Sequence, residues 1–184
     1  MKINKSGFTL VELLIVIIVI GILASIVLVT FNGSQAKARD ARRISDLNNI
    51  ADAIGSYRAK FGNDISTGSG CGYQGNGSGW FNYVGTSYTK SILSCLTDQG
   101  YLSSGVIDPF NCTTTTDSSP DCKRQGYTYM KYTSGSGDTS VTCVYARLEA
   151  SGSTSDLTNA NPCSSASSST VATSYGMNYY VLVK

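Results

Sequence analysis

The sequence predicts an α+β fold in which a long N-terminal hydrophobic α-helix packs against a small antiparallel β-sheet head with disulfide-tied loops. Three observations predict it. Residues Leu13 to Phe31 form a 19-residue run, LLIVIIVIGILASIVLVTF, without a charge. Apolar residues then recur at spacings of three and four as far as Phe61, the period of one helix face. Beyond Gly62, Gly- and Ser-rich stretches separate short Tyr- and Val-rich runs, and all six cysteines fall among them, the pattern of a loop-rich sheet.

Composition narrows the function before any motif is read. The 184 residues are about one domain's worth, and 14% are charged against about 25% in a typical soluble domain. A formal charge of +2 gives no argument for a nucleic-acid partner. There is no histidine, which excludes Ser-His-Asp and Cys-His catalysis and an HExxH zinc site together. Neither GxSxG nor GxxxxGK[ST] occurs, so no catalytic residue is assigned and no enzyme is expected. An even number of cysteines suits an oxidising compartment.

The N-terminal segment MKINKSGFTLVE carries Lys2 and Lys5, a small Gly7, and Glu12 interrupting an apolar stretch. A cleaved signal peptide needs an apolar core of about 7 to 15 residues and then a small-residue site. Here the candidate near Ala24 and Ser25 lies inside the run and would leave IVLVTF exposed. A plain signal anchor fits the length but leaves Glu12 unexplained, because a carboxylate in a membrane costs about 2.5 to 3.5 kcal/mol on insertion scales. A cut after Gly7 supplies the missing partner. Phe8 then becomes a positive terminus, and a neighbouring helix displaced along the axis presents that terminus to Glu12. The arrangement reads as a self-assembly device.

Gly7, Phe8, Thr9, Leu10, Val11 and Glu12 resemble the prepilin cleavage motif of the type IV pilin and type II secretion pseudopilin family. The resemblance implies a pilin fold, a membrane aspartyl prepilin peptidase that cuts between Gly7 and Phe8 and methylates the Phe8 nitrogen, and pairing of Glu12 with the Phe8 amine of another subunit. It also implies partners: copies of the chain in a helical filament, and the inner-membrane pilus or secretion assembly machinery. The chain is then a single-pass inner-membrane protein with an extracytoplasmic head, and afterwards part of a surface filament. Gly21 falls where pilin helices loosen during assembly, whereas the helix-bending proline of many major pilins is replaced by Val29. The expected segments are 1–7 as leader, 8–31 as transmembrane and polymerisation helix, 32–61 as its amphipathic continuation, and 62–184 as globular head.

Removing residues 1–7 takes away Lys2 and Lys5 and leaves 12 basic against 12 acidic side chains, a neutral subunit that repels its copies little. The positive-inside count favours the opposite topology, with Lys37, Arg39, Arg42 and Arg43 beyond the apolar run; the cysteines and the resemblance overrule it. With Asp40 and Asp46 interleaved, the arginines are expected to form a solvated or intersubunit salt-bridging face rather than a site for nucleic acid or anionic lipid.

In the second half of the helix Ile44, Leu47, Ala51, Ile54, Tyr57 and Phe61 form the expected stripe. An unbroken helix from Phe8 to Phe61 spans roughly 80 Å, with a candidate kink at Asn32, Gly33 and Ser34 and Gly62 as its stop. In the head, Asp64 to Gly79 reads as a Gly-rich loop, and TSYTKSILSCLTDQG predicts a short helix ending at Gly100. Strands are expected at Tyr127–Tyr132, Val141–Leu148 and Asn178–Val183, the first two joined through TSGSGD. Ser151 to Ser174, with 13 Ser or Thr in 24 residues, reads as a surface loop.

Ile107, Asp108, Pro109, Phe110, Asn111, then Tyr127, Thr128 and Tyr129, and Ala146 to Glu149 look like the head of pseudopilin-like pilins, in which an Asp-Pro turn precedes a sheet packed on the long helix. The same resemblance raises calcium in a loop after the sheet, with Glu149 and Asp156 as oxygen donors; two carboxylates without ligand spacing are ordinarily solvated, so no metal or other cofactor is expected. Cys71, Cys95, Cys112, Cys122, Cys143 and Cys163 lack CxxC spacing, which disfavours zinc. Pairing of sequence neighbours, 71 with 95, 112 with 122 and 143 with 163, is the preferred connectivity among those that six cysteines allow. The expected function is a structural, polymerising subunit. The alternatives are a pseudopilin of a type II secretion piston and a membrane-anchored binding protein that does not polymerise.

Overall fold

A computed structural model of the chain describes residues 7, 9–63, 65, 69–72, 77–81, 90–103, 106–109, 129–134, 141–150 and 176–184, with the backbone alone described at 27–30, 32 and 129–134. The element order is α1 (Leu10–Phe61), β1 (Gly79–Trp80), α2 (Ile92–Asp98), β2 (Tyr129–Ser134), β3 (Val141–Ala146) and β4 (Tyr179–Leu182). The chain divides into two compact units, Met1–Ala38 and Arg39–Lys184.

In the first unit, α1 begins at Leu10 and is unbroken through 32–34, where the sequence suggested a kink. Every described side chain from Leu10 to Ile26 is exposed. Thirteen large aliphatic residues are among them, from Leu10 at 80% to Leu14 at 47%. Burying one such side chain contributes about 1.5 to 3 kcal/mol, so this surface represents more free energy than the whole net stability of a typical domain, about 5 to 15 kcal/mol. Among the described residues no helix is long and apolar enough to cross a membrane. The longer run to Phe31 is a property of the sequence.

In the second unit the stripe on α1 is the core's longest edge. Leu47, Ile50, Ala51, Ala53 and Ile54 pack with Ile92, Leu93 and Leu96 of α2, Val144 and Ala146 of β3, and Val183. Ile44 and Tyr57 are half-buried, and Tyr57 packs against this cluster. Phe61 is 45% exposed, so the seam ends one turn earlier than its spacing suggested. Gly62 stops α1 as expected, with φ 74° and its N–H on the Arg58 carbonyl at 2.8 Å, the left-handed closure that favours glycine.

The sheet is antiparallel throughout, in the order β1-β2-β3-β4. β2 begins two residues later than the sequence suggested and β3 ends two earlier. β1 lies at the end of the stretch read as loop and pairs Gly79 with Lys131 and Trp80 with Met130. Thr142 to Ala146 are all buried, so β3 is covered on both faces. Where the ladder ends, the Asn178 amide takes over. Its Oδ1 accepts the Leu148 N–H at 2.7 Å and its Nδ2 donates to the Leu148 carbonyl at 2.9 Å.

Ser91 caps α2 by accepting the Ser94 N–H at 3.0 Å, the local bond that makes serine a helix starter. Cys95 of α2 is bonded to Cys71, the expected pairing. It holds a loop whose glycines have steric work to do: at Gly77, φ 73°, a Cβ would lie 2.0 Å from the Ile65 carbonyl oxygen. Cys143 is also disulfide-bonded; Cys112, Cys122 and Cys163 lie outside the described residues, as do Phe8, the TSGSGD turn after Ser134 and the Ser/Thr-rich stretch 151–174.

Ile54 is fully buried at the centre of this core. Ile54→Ala is expected to lower the unfolding free energy by about 2 to 5 kcal/mol, measured by denaturant titration; a loss below about 1 kcal/mol would contradict the packing described.

Candidate functional site

Two arrangements of charge stand out, one in each unit. The first is at the start of α1. The Thr9 N–H and the Thr9 hydroxyl both donate to Glu12 Oε2 at 2.8 Å, and the Glu12 N–H lies 3.3 Å from Thr9 Oγ1. This is a reciprocal capping box, in which Thr and Glu three residues apart satisfy the free donors of a helix start. The Thr9 carbonyl accepts the Leu13 N–H at 3.3 Å, the first bond of the helix. Glu12, expected to need a partner from another subunit, therefore already has one in its own chain. An ionised carboxylate offers acceptor positions on both oxygens, so capping through Oε2 is compatible with a second, cationic partner. Thr9 is the functional residue that sequence reasoning passed over; its signal was the T-x-x-E spacing. Gly7 is exposed beside this cap.

The second arrangement is a buried ion cluster on the head. Arg43 is 2% exposed. Its Nε donates to Asp108 Oδ2 at 2.9 Å and its Nη2 lies 3.3 Å from Asp108 Oδ1, a forked pairing suited to the planar guanidinium. Its Nη1 donates to Asp40 Oδ1 at 3.1 Å and to Glu149 Oε1. Arg39 grips the same Glu149 from the next turn, with Nε 3.0 Å from Oε1 and Nη2 2.5 Å from Oε2. Asp40 completes the set by accepting two consecutive backbone N–H groups, those of Glu149 at 2.8 Å and Ala150 at 2.7 Å.

This geometry corrects the reading of the arginines as a solvated or intersubunit face. Arg39 and Arg43 are spent inside the chain, chiefly on carboxylates far away in sequence. Arg42 keeps the expected solvated local pairing, 3.7 Å from Asp46 one turn on, with its side chain 56% exposed. The reading of Glu149 as a solvated carboxylate also changes, because two guanidinium groups occupy its oxygens; Asp156 lies outside the described residues. Among the described residues no group of carboxylates and cysteines is arranged to hold a metal ion.

Burial works against the charge of Arg43, and the hydrogen bonds and charges of Asp108 and Glu149 more than offset it, raising its pKa above the ordinary guanidinium value. At Glu149 burial pushes the carboxyl up, but hydrogen bonds from Arg39 and Arg43 and their charges outweigh it and hold the pKa below the ordinary value. A lowered carboxyl pKa contributes stability that is present above the unfolded value, about 4.3, and is lost as pH falls through the folded value. Stability is therefore expected to hold from neutral pH to about 5 and to decline below about 4. Denaturation midpoints across this range provide the check. In Glu149→Gln the decline is expected to be shallower, and an identical slope would contradict the assignment.

Comparison with known proteins points to the N-terminal arrangement. Residues 2–28 match the prokaryotic N-terminal methylation motif. The chain is 39% identical over 57 residues to the type II secretion system core protein G of Aeromonas hydrophila, covering 31% of this chain and 40% of that protein. Over 55 residues it is 38% identical to the core protein G of Escherichia coli (strain K12), covering 30% and 38%, and 33% identical to that of Vibrio cholerae serotype O1, covering the same shares. The similarity thus spans about two fifths of each relative's length. No solved structure matches the chain.

Proposed function

The methylation motif and the core protein G relatives support the type IV pilin and pseudopilin family for this chain, and from that premise we propose a non-catalytic, pilin-like subunit that polymerises through its N-terminal helix. A prepilin peptidase cuts between Gly7 and Phe8 and methylates the Phe8 nitrogen. Residues 8–31 cross the inner membrane before assembly, and the head lies on the extracytoplasmic side. The observation that carries this reading is the helix surface from Leu10 to Ile26, exposed on every side in a single chain. A helix apolar all round is a buried helix, and in this molecule lipid is its surroundings before assembly and other copies of itself afterwards.

Glu12 gives the change of surroundings its direction. In lipid the capping box keeps the carboxylate hydrogen-bonded at low cost. In a bundle of copies, the methylated Phe8 ammonium of a neighbour adds a charge partner in a low-dielectric setting, where such a pair is worth far more than in water. The Cys71–Cys95 disulfide supports an oxidising compartment for the head, against the positive-inside count.

The second reading, a pseudopilin of a type II secretion apparatus, is favoured by the names of the relatives. The two differ in where the polymer acts. Deletion removes surface filaments in the pilus reading and blocks protein export in the pseudopilin reading. Both require the same assembly step, which Glu12→Val tests: membrane insertion is expected to be retained while filament or pseudopilus yield falls at least tenfold, counted by electron microscopy of sheared polymer. Unchanged yield would remove the role given to the carboxylate.

A further inference from the structure

We propose that the buried Arg43 cluster is the register key of the head: it selects which turn of α1 faces the sheet and the Asp108 segment, and does so without being a net source of stability. The inference concerns residues Arg39–Lys184 by themselves and holds whether or not the subunit polymerises.

The apolar seam is a poor selector of register. Leu47, Ile50, Ala51 and Ile54 repeat at three and four residues, so sliding α1 by one turn brings Ile50 or Ala51 to the place of Leu47 and Ile54 to that of Ile50. Aliphatic residues of similar size exchange in a core at modest cost. The charged cluster does not permit the exchange. A one-turn slide in one direction puts Leu47 in the place of Arg43 and Arg43 in that of Arg39, so that Asp108 loses its guanidinium and Glu149 keeps one of its two. The opposite slide puts Arg39 in the place of Arg43 and carries Arg43 into the place of Leu47, among aliphatic side chains and away from Asp108 and Glu149, with only Asp40 of its own helix still beside it. Asp40 adds to the discrimination, because the residues that would replace it are Ala36 or Ile44, neither able to accept the N–H groups of Glu149 and Ala150.

A second mark lies at the other end of the contact. A Cβ on Gly55 would stand 2.9 Å from the backbone oxygen of Lys184, a clash that glycine avoids. One turn either way the helix offers Ala51 or Ala59, each with the Cβ that does not fit. Gly55 and Arg43 are about 18 Å apart along the helix, and between them they admit one register. Buried ion pairs often break even against apolar residues of similar volume, and specification of register is their best-attested use.

The test uses the full oxidised chain in detergent micelles. In the triple variant Arg43→Met, Asp108→Leu, Glu149→Met, the thermal midpoint is expected to be unchanged or raised, while amide NMR shows at least two sets of signals for seam residues such as Leu47 and Ile54. A milder pair, Arg43→Gln with Asp108→Asn, keeps polar isosteres in place should the triple fail to fold, and is expected to show a minor second set above about a twentieth of the signal. One native-like set of signals in the folded variants would overturn the inference. A lowered midpoint with a single set would overturn it too, identifying the cluster as an ordinary stabiliser.

Discussion

A guanidinium whose donors are divided among carboxylates from separate stretches of chain is the contact on which the geometry of the head depends. An uncompensated charge at 2% exposure would cost several kcal/mol, so Arg43 can be buried only when Asp40, Asp108 and Glu149 are all in place. The turn at Asp108 and the segment after β3 come from positions 65 and 106 residues downstream, and neither alone completes the set. The cluster therefore makes packing of α1 against the head a joint event. The Cys71–Cys95 bond and the Asn178 amide bridge then hold the α2 side and the end of the sheet.

The same helix poses the opposite problem in its first half. From Arg39 to Ile54 its demands are met within the chain, apolar residues by the sheet and α2, charges by the ion cluster. From Leu10 to Ile26 the apolar side chains are exposed, and among the described residues Glu12 has the short-range cap provided by Thr9. A sequence does not keep so much aliphatic surface for water. The proposed function gives this surface lipid and then copies of the same helix as its surroundings, with a proteolytic cut beside the cap between the two.

What was legible in the sequence follows from the range of the forces involved. The seam through Leu47, Ala51 and Ile54, the existence of α2, the Gly62 and Gly100 stops and the main strands are set by neighbours within a few residues, and their spacing announced them. β1 was not legible because two residues, Gly79 and Trp80, carry no alternation; they are a strand only because Lys131 and Met130 lie beside them. Arg43 sits four residues before Leu47, on the line of the seam, so its position hinted at burial. Its identity argued for solvent, and the carboxylates that reverse that argument are brought to it by the fold. Glu149 reads from its neighbours as a solvated carboxylate, because the arginines that hold it are 110 and 106 residues away in sequence. In the N-terminal arrangement, the match of residues 2–28 to a methylation motif was legible from Gly7 to Glu12, whereas the cap between Thr9 and Glu12 is signalled by the T-x-x-E spacing alone.

The central claim is that the helix beginning near Phe8 is released from a leader and used to build a polymer. Mass spectrometry of the intact protein from sheared polymer and from membranes tests it most directly. The account predicts that polymer contains the 177-residue chain that begins at Phe8, one methyl group heavier than the unmodified sequence, with the 184-residue precursor confined to the membrane fraction. Full-length chain beginning at Met1 in the polymer, or no processed chain anywhere, would contradict it.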